Sequence, residues 1–232
     1  MDGLDVLADE TALLLASVES LDIEDLAHPS NLPDWTRGHV LAHIAGNAEG
    51  LGRRARSMSD AVPRSMYESL ESRSGDIAWR SRRTVAQHAQ ALASTQADFA
   101  YDLAGIPADR AGDDMEIRLG LMVRIGDLPL LRLQEICVHH ADLGVSTYDW
   151  SNWPPALVAW MLPRITASFA AREGFPVGWV EVEGARISVG PDPTTGVSGG
   201  ATEVVAWLVG RAPGSGLAVT GVDAVPVPPA WL

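Results

Sequence analysis

Asp127-Leu128-Pro129-Leu130-Leu131-Arg132-Leu133-Gln134-Glu135-Ile136-Cys137-Val138-His139-His140-Ala141-Asp142-Leu143-Gly144 is the stretch on which the fold turns. Asp127 as a cap, Pro129 in the first turn and Gly144 past the end are the start and stop signals of a single helix. Glu135 and His139 stand four residues apart, about 40° from each other around the axis, and project from one face. Ile136, Val138 and Leu143 surround them, and a carboxylate and an imidazole beside an apolar stripe need a partner to offset desolvation. A cation is one such partner. Together with an imidazole from a second helix they form a three-ligand set, which leaves the fourth position of tetrahedral zinc open, as catalytic sites do. A surface ion pair or a satisfied core histidine explains most isolated Glu-x-x-x-His runs, so the spacing alone is a weak signal.

The second imidazole is sought in Trp35-Thr36-Arg37-Gly38-His39-Val40-Leu41-Ala42-His43. His39 and His43 are themselves four apart on one helix, and spacing does not choose between them. His140 sits about 140° from Glu135 around its helix, which disfavours it. Cys137 points about 200° away from both Glu135 and His139 and reads as a small buried hydrophobe. Asp142 is placed to accept a hydrogen bond at the edge of the site.

Working outward, residues 4–21 have apolar positions at helical spacing. Asn31-Leu32-Pro33-Asp34 is a turn, and Thr36 caps a helix running to about Met58. Residues 59–75 read as a loop with one short helical turn, 77–104 as a third long helix, and Met115–Ile125 as a hairpin turning at Gly120. The helix from Asp127 to Leu143 is the fourth. Four helices with apolar stripes to hide make a bundle. After Trp150 the texture changes. A fifth helix opens at the Pro154-Pro155 linker and runs to about Arg172, with a kink expected at Pro163. Strands are expected at Val177–Glu183, Ala185–Val189, Val197–Gly199 and Leu217–Thr220, with a helix over 201–210. The fold class is therefore α+β: a helical bundle over 1–150 and a small α+β domain over 151–232.

Composition limits the function. The 232 residues are 47% hydrophobic, ordinary for a globular protein, and no apolar run reaches the roughly 20 residues needed to cross a bilayer. The acidic N-terminus lacks the features of a signal peptide, so the expected location is the cytoplasm and no membrane partner is expected. A net charge of −13 argues against nucleic acid as a partner. All 17 basic residues are Arg, and eight of them fall in residues 53–83. That cluster is either a solvated face, the commoner case, or a field that draws an anionic small molecule. With Cys137 the single cysteine, no internal disulfide or thiolate zinc cluster forms, and any thiol used in catalysis must come from another molecule.

The chain resembles the mycothiol-dependent maleylpyruvate isomerase family over nearly its full length. The resemblance rests on Leu32–His43, on Glu135–Gly144, on Val209-Gly210-Arg211 and on the ending Pro228-Pro229-Ala230-Trp231-Leu232. It implies a DinB-like four-helix bundle followed by a small C-terminal domain that closes the active site. It also implies zinc held by His43, Glu135 and His139, with mycothiol as the thiol. Arg211 inherits a catalytic or substrate-anion role, and the partners implied are a small anionic or electrophilic substrate and a low-molecular-weight thiol. Three functions follow as alternatives: cis–trans isomerisation of maleylpyruvate or a similar substrate, S-transfer of mycothiol to an electrophile, or a non-catalytic helical module whose Trp-rich surface binds a partner.

Overall fold

The structure is a computed structural model, and it describes residues 3–118 and 120–231. Leu119 of the expected hairpin and Leu232 of the terminal motif lie outside them. The chain forms two compact units, Met1–Thr147 and Tyr148–Leu232.

Four long helices build the first unit: α1 (Gly3–Glu19), α2 (Arg37–Asp60), α4 (Val85–Ala104) and α5 (Leu128–Asp142), with the shorter α3 (Leu70–Arg80) between α2 and α4. Helix α1 packs on α4 and α5, α2 packs on the same two, and α3 lies on α2. This ring of four encloses Leu14, Val40, Leu41, Ile44, Leu92, Phe99, Leu133 and Ile136, all essentially inaccessible to water. The bundle expected from the apolar periodicity is the fold observed. Helix α2 begins where Thr36 accepts the His39 N–H and the His39 ring accepts the Thr36 N–H, a capping box. Its glycines let neighbours approach: a Cβ on Gly52 would crowd the buried Asp102 carboxylate at 2.8 Å.

Three expectations are corrected. The helix expected over 77–104 is two helices. Ser69 caps α3, and Thr84 restarts the chain as α4 through a capping box with Gln87. The Thr84-Val85-Ala86-Gln87 signal was present, but an arginine run that suits a helix obscured it. The supposed loop over 59–75 therefore ends at Ser69, and residues 70–75 are helical. Asp127 precedes α5, but its side chain makes no capping hydrogen bond. The hairpin is present, with β1 (Asp114–Arg118) antiparallel to β2 (Leu121–Arg124) around Gly120 at φ 79°.

The second unit is a four-stranded mixed sheet with two helices, its strands β3 (Trp179–Val182), β4 (Ala185–Ser188), β5 (Gly196–Gly199) and β6 (Ala218–Thr220) lying in the order β4-β3-β5-β6. Helix α6 (Pro155–Ala170) continues through Pro163, and the Thr166 hydroxyl donates to the Leu162 and Pro163 carbonyls. Strands β3 and β4 pair antiparallel across Glu183-Gly184. Both turn residues have positive φ, as the tight hairpin turn that matches strand twist requires. Strand β5 runs parallel to β3, and β6 pairs antiparallel to β5 after helix α7 (Ala201–Leu208). Phe169, Phe175, Val180, Val197 and Trp207 fill the interior, and the Trp207 indole donates to the Pro226 carbonyl at 2.8 Å.

Candidate metal centre

Helices α2 and α5 pack side by side in the ring and bring His43 against the face of α5 that carries Glu135 and His139. The two Nε2 atoms are 3.1 Å apart, and Glu135 Oε2 lies 3.3 Å from His43 Nε2 and 3.7 Å from His139 Nε2. Tetrahedral zinc with bonds of about 2.0–2.1 Å sets its ligand atoms roughly 3.3 Å apart. The triangle has the right size for that ion. The side chains keep 8% to 16% of their surface exposed, so the group is screened from water but not sealed.

Its electrostatics suit a cation. Burial pushes the His43 imidazole down to about 4, so it is neutral at pH 7 and keeps a lone pair. Burial works the other way on Glu135, but the hydrogen bond with His43 and the charges of His139 and Arg132 outweigh it and hold the carboxyl well below its usual range. A neutral imidazole at His43 and an ionised carboxylate at Glu135 are protonation states that suit a divalent metal.

Surrounding groups fix these side chains. His139 Nδ1 donates to the buried Asp142 carboxylate at 2.8 Å, which leaves the Nε2 lone pair aimed at the centre. Arg132 is 1% exposed. It donates to the Ile44 carbonyl and Asn47 Oδ1, both at 2.9 Å, and to Gln96 Oε1 at 3.0 Å, while burial pushes it down to about 10. It ties α5 to α2 and α4 one turn before Glu135. The Trp35 ring stands edge-on to His43, centroids 5.6 Å apart.

The remaining histidines have other duties. His39 belongs to the Thr36 capping box, and His140 turns to α1, where its Nε2 meets Ser17 Oγ at 2.9 Å. Cys137 is buried, with its Sγ 3.5 Å from Glu10 Oε2 of α1. Arg211 belongs to the second unit. There Gly210, at φ 75°, turns the chain beyond α7, and Arg211 Nη1 donates to the Val209 carbonyl at 2.8 Å. The arginine cluster of residues 53–83 largely holds the fold together: Arg53 donates to the Met66 carbonyl, Arg54 to the Arg64 carbonyl, and Arg56, Arg64 and Arg80 pair with Asp102, Asp60 and Glu49. Arg73 instead turns to the site, with Nη2 3.1 Å from His43 Nδ1. Its guanidinium also lies over the Tyr67 ring, whose hydroxyl is pushed upward by burial and by the charge of Glu135. Sequence reasoning missed Arg73, Tyr67 and Arg132 as neighbours of the site. Only the unusual arginine density hinted at the first.

The sequence model of the mycothiol maleylpyruvate isomerase N-terminal domain matches residues 7–144, the bundle that holds this group. The chain belongs to that family. Two solved structures share the fold of this family member: a mycothiol-dependent maleylpyruvate isomerase, with TM-score 0.87 and 23% identity, and a histidine-to-alanine mutant of such an isomerase, with TM-score 0.89 and 22% identity. Each comparison covers 99% of this chain and 95% of the other. No curated protein matches the chain significantly. Among the described residues, no helix is long and apolar enough to cross a membrane.

Proposed function

We propose that this chain is a zinc-dependent, mycothiol-using enzyme that isomerises the cis double bond of maleylpyruvate, or of a similar unsaturated keto acid, to the trans form. The observation that carries the reading is the triangle of His43 Nε2, Glu135 Oε2 and His139 Nε2 within a family that bears this activity in its name. His43, Glu135 and His139 would hold the zinc, which supplies an open position where a thiol is kept as thiolate at neutral pH.

The chain's own residues do the rest. Asp142 holds the His139 proton on Nδ1, so Nε2 stays available. Glu135 stays ionised against its burial because His43, His139 and Arg132 face it. Mycothiol, when bound, would supply a sulfur nucleophile for reversible addition to the cis double bond, with the displaced electrons carried on the conjugated carbonyl until the bond has turned and the thiol is expelled, so no atom is gained or lost. Arg211, the arginine of the family's Gly-Arg motif, is assigned to pair with a substrate carboxylate or the enolate oxygen.

The test is zinc content of the purified protein, then turnover with mycothiol and maleylpyruvate followed by mass spectrometry of the thiol. The expected result is about one zinc per chain and mycothiol recovered unchanged. A stable thioether would replace isomerisation with S-transfer. A protein that takes up no zinc after reconstitution would overturn the metal reading and leave the histidines as structural groups.

A further inference from the structure

Helices α3 and α4 both pack on α2 and leave a valley between them. Its volume is about 590 Å³, within the range of ligand-binding clefts. Trp79 and the two arginines that follow α3, Arg82 and Arg83, line it from one side. Gln87, Gln90 and Ser94 line it from α4, and Glu49 reaches it from α2. The α4 residues recur three and four apart, so they share one face of that helix, away from the buried Leu92 and Phe99.

The valley is rich in donors and poor in free acceptors. Arg82 is exposed and Arg83 half-buried, and among the described residues no carboxylate pairs with either. The Glu49 carboxylate is already held by Arg80 at 2.7 Å. Gln87 uses its Oε1 to cap the Thr84 N–H, which leaves its amide nitrogen to donate. Two permanently charged guanidiniums thus line a cleft in a chain of net charge −13. Trp79 adds an apolar plane. It is 68% exposed, and the Arg83 guanidinium lies 5.9 Å from its ring centroid, a contact that orients the indole yet leaves most of it in water. An exposed indole beside donors of this kind matches a ligand with a flat ring and a pair of anionic oxygens.

We propose that this valley is a second ligand site, for an aromatic carboxylate. The ring lies on Trp79, Arg82 and Arg83 hold the carboxylate, and the Gln87 amide donates at its edge. A cationic ligand would meet like charge from both arginines, and a bare inorganic anion would leave the indole unused. Binding is reversible, and no covalent bond is made or broken. None of His43, Glu135 and His139 lines the valley, so the proposal stands apart from the zinc reading.

The experiment titrates the full chain with naphthoate, by calorimetry and by NMR of the indole N–H signals, the Trp79 signal being assigned from its loss in Trp79→Leu. Circular dichroism confirms that each variant folds. The expected result is one naphthoate per chain and a shift of the Trp79 signal. Affinity should fall about tenfold in Trp79→Leu, and about tenfold or more in the Arg82→Met, Arg83→Met double variant and for neutral naphthamide. His43→Ala should bind naphthoate as the wild type does, which separates this site from the ligand triangle. No binding, or binding that leaves the Trp79 signal in place, overturns the site. Equal affinity for cyclohexanecarboxylate, with no loss in Trp79→Leu, overturns the role of the ring. A dimer that the arginine substitutions convert to monomer, with naphthoate unbound, would make the valley a contact between copies and overturn the ligand site.

Discussion

The bundle of the first unit and the sheet of the second bury different chemistry. In Met1–Thr147 the interior takes in His43, His88, His140, Asp102, Asp142, Arg132 and several hydroxyl and amide side chains. In Tyr148–Leu232, Thr166 and Thr195 are the only buried polar side chains among the described residues. All six histidines lie in the first unit. A buried polar group costs stability unless it is fully hydrogen-bonded, and a buried charge costs more. The first unit carries that cost both at the His43–Glu135–His139 triangle and away from it, at His88, His140 and Asp102. The second is stabilised by apolar packing of Trp207, Phe169 and the strand valines. Function and stability are thus concentrated in different places, and substitutions should separate them.

The largest expected effect is at the triangle. Glu135→Gln should reduce bound zinc from about one per chain to near zero and lower turnover by about three orders of magnitude or more, roughly 4 kcal/mol. Measured without zinc, its denaturation midpoint should fall modestly, because the amide keeps the size of the carboxylate but no longer offsets the buried Arg132 charge. Metal analysis beside a denaturant titration checks both, and full zinc occupancy in the variant would break the assignment. Trp207→Ala should act in the opposite sense, costing the second unit about 3–5 kcal/mol while zinc content stays unchanged. Six of the eight tryptophans lie in that unit, so fluorescence-detected unfolding follows it directly.

Asp142→Asn sharpens the comparison within the first unit. The amide accepts less strongly from His139 Nδ1, and zinc affinity should fall by about 10- to 100-fold with the helices intact, as chelator competition would show. The smallest effect is with pH. Burial pushes His88 and His140 down to about 4, below the unfolded value near 6.5. Between those values the unfolded chain binds the extra protons, so stability is complete above pH 6.5 and is lost as pH falls toward 4. At pH 5.5 each histidine should already cost about 1.4 kcal/mol. The second unit has no histidine, so circular dichroism of the helices should respond to mild acid before tryptophan fluorescence does. Simultaneous loss of both signals would sink that prediction.

Much of the molecule was legible because its signals are local. The Thr36 cap, the Gly120 and Glu183-Gly184 turns, the helix limits around α2 and α5, and the strand positions all depend on residues within a few places of one another. The break at Ser81–Thr84 was local too, but the capping signal there was outweighed by a plausible helical run. The shared face of Glu135 and His139 also follows from sequence, since a four-residue spacing on a helix fixes it. What spacing left open was the choice between His39 and His43, and packing of α2 on α5 decided it by carrying His43 to the shared face while His39 closed its own helix. The contact between His139 and Asp142 lies within α5 and followed from their three-residue spacing, whereas tertiary structure alone placed Arg73 on His43 and tied Arg132 to α2 and α4. Helical periodicity dictates which way a side chain points from its own axis. The distance from one axis to the next is set by the side chains packed between them, and the site's ligand triangle is defined by that distance.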